Sequence, residues 1–193
     1  IEVTQQDRNL RSGSVIRNNI VGDSVGYSAA GPTPVFMSWG IYLDSFAGGY
    51  TVTHNVTYRS SHGGMMLQGG KDNTVENNIF VDSAQSQVYI SNFANNSTGL
   101  TFQRNIVAYT NPAAVLFATG RLDENVIRID RNLYFPAGGK EPIELPLATV
   151  TGDIIAFTQQ FLRESAKSEY GGPTTFVSAH AGHYLRHLKD VGF

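Results

Sequence analysis

Apolar and polar residues alternate in short runs along this chain, and the runs recur in a fixed frame. Five times a β-branched or aromatic residue is followed three positions later by asparagine and then by an aliphatic residue. The copies are Ile16 to Asn19, Val52 to Asn55, Val75 to Asn78, Phe102 to Asn105 and Ile129 to Asn132. Successive asparagines lie 36, 23, 27 and 27 residues apart, which is the period of a stacked repeat. Each copy predicts a strand of about five residues with alternate side chains inward. An amide both donates and accepts, so a column of asparagines in a tight turn can bond along the stack while satisfying backbone groups.

A second run precedes the asparagine motif in each full repeat: residues 40–44, 64–68, 87–91 and 114–118. Its predicted inward positions are Ile41, Leu43, Met65, Leu67, Val88, Ile90, Val115 and Phe117, all apolar, as a coil with a dry interior and a wet exterior requires. The expected fold is therefore all-β, a parallel β-helix with an asparagine ladder. Successive coils of such a fold sit about 4.8 Å apart, so residues one repeat apart become surface neighbours. Two outward columns follow from stacking these strands: Glu2, Tyr42, Met66, Tyr89 and Leu116, and Thr4, Asp44, Gln68, Ser91 and Ala118.

The coils are expected over residues 1–135, with residues 21–38 as an inserted loop, and residues 136–193 as a C-terminal extension packing on the solenoid. Within the extension, Ile154, Ile155, Phe157, Phe161 and Leu162 suit an amphipathic helix from Asp153 to Lys167 with Asp153 as N-cap, and residues 184–189 a second short helix. Ile1-Glu2-Val3 reads as a first strand without an amphipathic cap, which predicts a longer stack whose open ends are covered by further coils or another subunit.

Composition narrows the partners. A chain of 193 residues with 16% charged residues and formal net charge -2 offers no basic surface for nucleic acid or an anionic membrane, and no run approaches membrane-spanning length. The absence of cysteine excludes a disulfide scaffold. His180, His183 and His187 lack a nearby acid cluster and read as incidental, so no metal site is expected. Asn55-Val56-Thr57 matches a glycosylation pattern, but Asn55 belongs to the expected buried ladder.

Candidate chemistry gathers on the outward columns. The loop of residues 21–38 delivers Trp39, the sole tryptophan, to the strand that carries Asp44; the indole either stacks on a sugar ring or anchors the loop. Asp disfavours strands, and Asp44 is the one acid of its column, framed by Trp, Tyr and Gln in the composition of a sugar-binding groove.

These residues meet a family. Trp39-Gly40-Ile41-Tyr42-Leu43-Asp44, Asn55-Val56-Thr57-Tyr58, His62-Gly63-Gly64, Asn77-Asn78-Ile79, Gln87-Val88 and Arg104-Asn105-Ile106-Val107 together resemble the right-handed parallel β-helix carbohydrate-active enzymes of the pectate-lyase-like superfamily. The likeness is nearest to the branch around glycoside hydrolase family 141, which includes fucosidase and xylanase activities. It covers roughly Trp39 to Phe135. It implies a glycoside hydrolase acting on a plant or microbial polysaccharide, secreted or periplasmic, with no cofactor. Asp44 is then the first catalytic carboxylate, and Trp39, Tyr42, His62, Gln68, Gln87 and Tyr89 bind substrate. Gln68 stands where such enzymes often carry histidine. Glycoside hydrolysis needs a second carboxylate, for which Asp82, Asp72 and Glu2 are the candidates in that order. One carboxyl would be kept protonated by a partly dry groove while the other stays ionised. His62, Arg59 and Lys71 could orient hydroxyls or a uronate. Two alternatives stay open: a Ca²⁺-dependent polysaccharide lyase drawing on Lys71, Arg59 and Arg104 with Asp72, Asp82 and Asp44, and a β-helix that binds glycan without cleaving it.

Overall fold

A computed structural model of the chain describes residues 1–26, 38–119 and 126–136. Strand follows strand with almost no helix. Five successive coils each contribute three strands: β1 (Glu2–Gln5), β2 (Val15–Arg17) and β3 (Ile20–Gly22); β4 (Trp39–Ser45), β5 (Thr51–Thr53) and β6 (Val56–Tyr58); β7 (Gly63–Gln68), β8 (Thr74–Glu76) and β9 (Ile79–Val81); β10 (Ser86–Ser91), β11 (Leu100–Gln103) and β12 (Ile106–Tyr109); β13 (Val115–Thr119), β14 (Ile127–Asp130) and β15 (Leu133–Pro136). The first strands of the coils stack into one parallel sheet, the second strands into another and the third strands into a third, which is the expected parallel β-helix. The expected helices at 153–167 and 184–189, the three histidines of the tail and most of the 21–38 loop lie outside the described residues.

The period of the asparagines is the period of the coil. Nδ2 of Asn19, Asn55, Asn78 and Asn105 donates to Oδ1 of the next asparagine at 2.8, 2.9, 3.0 and 3.1 Å. The same Oδ1 atoms accept the backbone N–H of the preceding asparagine at 2.8 to 3.1 Å, and the amides of Asn55, Asn78, Asn105 and Asn132 also donate to carbonyls of the coil before. Each amide thus replaces the ladder bonds that the chain loses where it turns from the second sheet into the third. The residue before each asparagine takes a left-handed conformation: Asn18, His54, Asn77, Arg104 and Arg131 all have φ between 51° and 58°. The interior is apolar, with Ile41, Leu43, Val52, Met65, Val75, Phe80, Val88, Ile90 and Phe102 fully buried. Phe80, Phe102 and Phe117 form an aromatic column, with ring centroids 5.9 and 5.4 Å apart.

Two details differ from the sequence reading. Tyr89 pairs with Ala118 and not with Leu116, and Ser86 pairs with Val115. The turn entering β13 is two residues longer than the one entering β10, so the repeat slips there. Val115 is consequently only half-buried, while Leu116 is sealed inside. A second set of buried amides, on Gln5, Asn73 and Asn96, braces the corner between the first and second sheets by donating to the carbonyls of Phe46, Ala47 and Gly69. Its spacing is irregular and its residue types mixed, so no repeat announced it.

Candidate functional site

The outer face of the first sheet carries the cluster. Backbone pairing places Glu2 beside Tyr42, Thr4 beside Asp44, Tyr42 beside Met66, Met66 beside Tyr89 and Ser91 beside Gln68. Because β4 alternates, Ile41 and Leu43 are lost to the core while Tyr42 and Asp44 stay half-exposed on the outside. The Tyr42 hydroxyl donates to Gln68 Oε1. Burial pushes its ionisation well above the ordinary value, helped by hydrogen bonding to Asp44 and by the charges of Asp44 and Glu2. One phenol therefore stands between an amide and two carboxylates, and stays protonated. Asp44 Oδ1 accepts the N–H of Ser45 at 2.7 Å, and Ser45 has a φ of 55°; this turn fixes the carboxylate at the end of the strand.

Aromatic rings wall the other end. Trp39 lies 5.0 Å from the Tyr42 ring, 4.5 Å from the His62 ring and 6.3 Å from the Tyr89 ring, centroid to centroid. His62 meets Tyr89 edge-on. The indole packs against Gly63, where a Cβ would come within 2.7 Å of Cδ1, so this strand needs glycine for the tryptophan to lie down. Trp39 is 8% exposed and forms the back wall, leaving the half-buried faces of Tyr42, Tyr89 and His62 toward solvent. Burial holds the His62 imidazole below its ordinary pKa of 6.5, so the ring is neutral near neutral pH.

The structure brings together Trp39, Tyr42, Asp44, His62, Gln68 and Tyr89, and adds Glu2. It places the remaining candidates elsewhere. Gln87 points inward, fully buried, and spends its amide on the N–H and carbonyl of Ser83, both at 3.0 Å. Asp82 sits at the corner between the third and first sheets with a φ of 50° and caps the next coil, accepting from the N–H of Thr110 at 2.7 Å and its hydroxyl at 3.0 Å. Asp72 is exposed at the corner between the first and second sheets, paired with Arg11 at 2.5 Å. Both acids thus serve turns.

The cations raised by a lyase reading are also distributed away from this face. Arg59 pairs with Asp23 at 2.7 Å on the third-sheet corner, Arg104 pairs with Glu76 on the second sheet, and Lys71 lies in the turn after β7, bridged to Thr98. Glu2, the third of the three candidates for a second carboxylate, is the one that lies beside this cluster, in the outward column that the sequence predicts.

Residues 1–139 match the family model described as a right handed beta helix region. Searches of curated proteins and of solved structures returned no match.

Proposed function

The chain belongs to the right handed beta helix region family, and from that premise we propose that it is a carbohydrate-active protein, a glycoside hydrolase whose groove runs over the outer face of the first sheet. The observation that carries the reading is the convergence of two carboxylates, Asp44 and Glu2, on a wall of Tyr42, Tyr89, His62 and Trp39. Aromatic faces take the apolar side of a sugar ring, while amide and carboxylate groups take its hydroxyls.

Glu2 and Asp44 stand on adjacent strands two residues out of step. Strand spacing and rise put their Cα atoms about 8 Å apart. Side chains on such Cα atoms can hold their carboxyl groups about 6.5–9.5 Å apart, the separation that leaves room for a water and inverts the anomeric centre. In this reading one of the two protonates the leaving oxygen and the other activates the water. Tyr42, protonated and hydrogen-bonded to Gln68, stands beside Glu2 on the neighbouring strand.

The test is release of reducing ends from neutral plant and microbial polysaccharides, with the product anomer read by NMR. Asp44→Asn and Glu2→Gln should each lower the rate by at least about a hundredfold while leaving binding within a few-fold. Full activity in Asp44→Asn removes the mechanism. An unsaturated, ultraviolet-absorbing product would instead mark a lyase.

A binding-only reading has one observation in its favour. Gln68, which cannot move a proton near neutral pH, pairs with Ser91 at the end of β7 and accepts the Tyr42 hydroxyl. Saturable binding without bond cleavage across the panel would select it.

A further inference from the structure

The outer face of the third sheet is apolar, although a β-helix needs only an apolar interior. Pairing in register gives one outward row of Ile20, Val56, Ile79, Ile106 and Leu133 and another of Gly22, Tyr58, Val81, Ala108 and Phe135. The alternate residues Thr57, Phe80, Val107 and Tyr134 point the other way, into the buried interior. Ile79, Ile106, Leu133 and Phe135 form a hydrophobic cluster separate from the main core, with Val56, Val81 and Ala108 packed against it.

Exposure along this face is graded. Ile20, at its first-coil end, is 77% exposed, whereas Ile106 and Leu133, at the other end, are 0% and 1% exposed. Outward-facing side chains lose water only when something lies over them. The described strands are all used in the three sheets, and none lies over this face.

Topology selects the occupant. Residues 27–37 come between β3 and β4, at the first coil, where Ile20 is exposed, and residues 120–125 come between β13 and β14, which belong to the first and second sheets. Residues 137–193 follow β15, the last strand of this same sheet. They contain the stripe Ile154, Phe157 and Phe161 at helical spacing, flanked by Ile155 and Leu162.

We propose that the outer face of the third sheet, from Ile79 to Phe135, is the docking surface for the chain's own segment 153–167, which lays its apolar stripe on Ile79, Ile106, Leu133 and Phe135. The inference does not depend on the glycan reading, and its test does not use the groove.

The chain has no cysteine, so disulfide mapping in the intact 193-residue chain is unambiguous. Ala108→Cys places a thiol on the face. It is paired in turn with Thr158→Cys or Ser165→Cys, which helical spacing would set on the side of the apolar stripe, and with Ala156→Cys or Arg163→Cys, which it would set opposite. A disulfide needs Cα atoms within about 7 Å, so the first two pairs should oxidise at least about tenfold faster than the last two, within one chain. Equal rates on both sides, no bond at all, or bonds formed between two chains would each overturn the proposal, the last by making a second copy the occupant. A second variant, Phe157→Asp with Phe161→Asp, should raise hydrogen exchange in residues 106–108 while exchange at the ladder around Asn78 stays slow; unchanged exchange at 106–108 also overturns it.

Discussion

Single residues do the work of closing this coil, and the cost of losing one depends on its place in the stack. Asn105 is fully buried; its amide donates to Val75 and Asn132, and its oxygen accepts both groups of Asn78. Replacing it by Ala strands several buried groups, so Asn105→Ala should destabilise the fold by about 2–4 kcal/mol in urea unfolding. Asn19, at the exposed end of the ladder, should cost less than about 1 kcal/mol when changed the same way. Equal losses would show that the ladder is not a buried network. His62 makes a separate prediction about pH. Its folded pKa lies below the ordinary 6.5 because the ring is desolvated, so below about pH 6.5 the unfolded chain binds a proton that the folded chain refuses. Stability should therefore fall as the pH drops through that value, then level off once the folded ring protonates too. His62→Gln should flatten that part of the profile; an unaltered slope would mean that His62 carries no such linkage.

Elements divide into the strands and the asparagine corner, which the sequence announced, and the other two corners, which it did not. The inward positions of β4, β7 and β10 could be read because period-two alternation and burial are the same fact. The outward columns through Glu2, Tyr42, Met66 and Tyr89 were legible for the same reason. Asp82 is ambiguous in sequence because a left-handed turn position favours Asp as readily as a catalytic groove does. Gln87 turns inward because β10 directs its first residues to Ser83, an irregularity that alternation cannot foresee. The slip at Ala118 came from a turn two residues longer, and turn length leaves no periodic trace. The two acids can now be separated by experiment: Asp82→Ala should cost about 1 kcal/mol through the lost cap and the left-handed backbone, with glycan binding unchanged, whereas Asp44→Asn should change function and not stability. At the other end of the first sheet's outer cluster, Gly63→Ala forces a Cβ against the indole. Because Trp39 is the only tryptophan, its fluorescence should shift to longer wavelength and glycan affinity should fall several-fold. An unshifted spectrum would show that the ring does not rest on Gly63.

A solenoid spreads its stability from neighbour to neighbour, which sets how damage travels through the whole molecule. Each coil here touches only the coil before and the coil after, through the three sheets, the asparagine ladder and the aromatic column. No residue stands at a centre common to all five coils. Phe102 belongs to the fourth coil, stacks on Phe80 of the third and meets Phe117 of the fifth edge-on. Phe102→Ala should therefore cost about 3–5 kcal/mol, most of it borne by those adjoining coils. Hydrogen exchange read strand by strand should show the largest loss of protection in β8, β11 and β14, a smaller loss in β5, and the least in β2. In a globular domain unfolding as one unit, every core amide would lose protection by the same amount. That uniform result would mean that the coils act as a single cooperative block, and the graded one that the vertical stacking of neighbours, coil on coil, is what holds the outward columns of the first sheet in register.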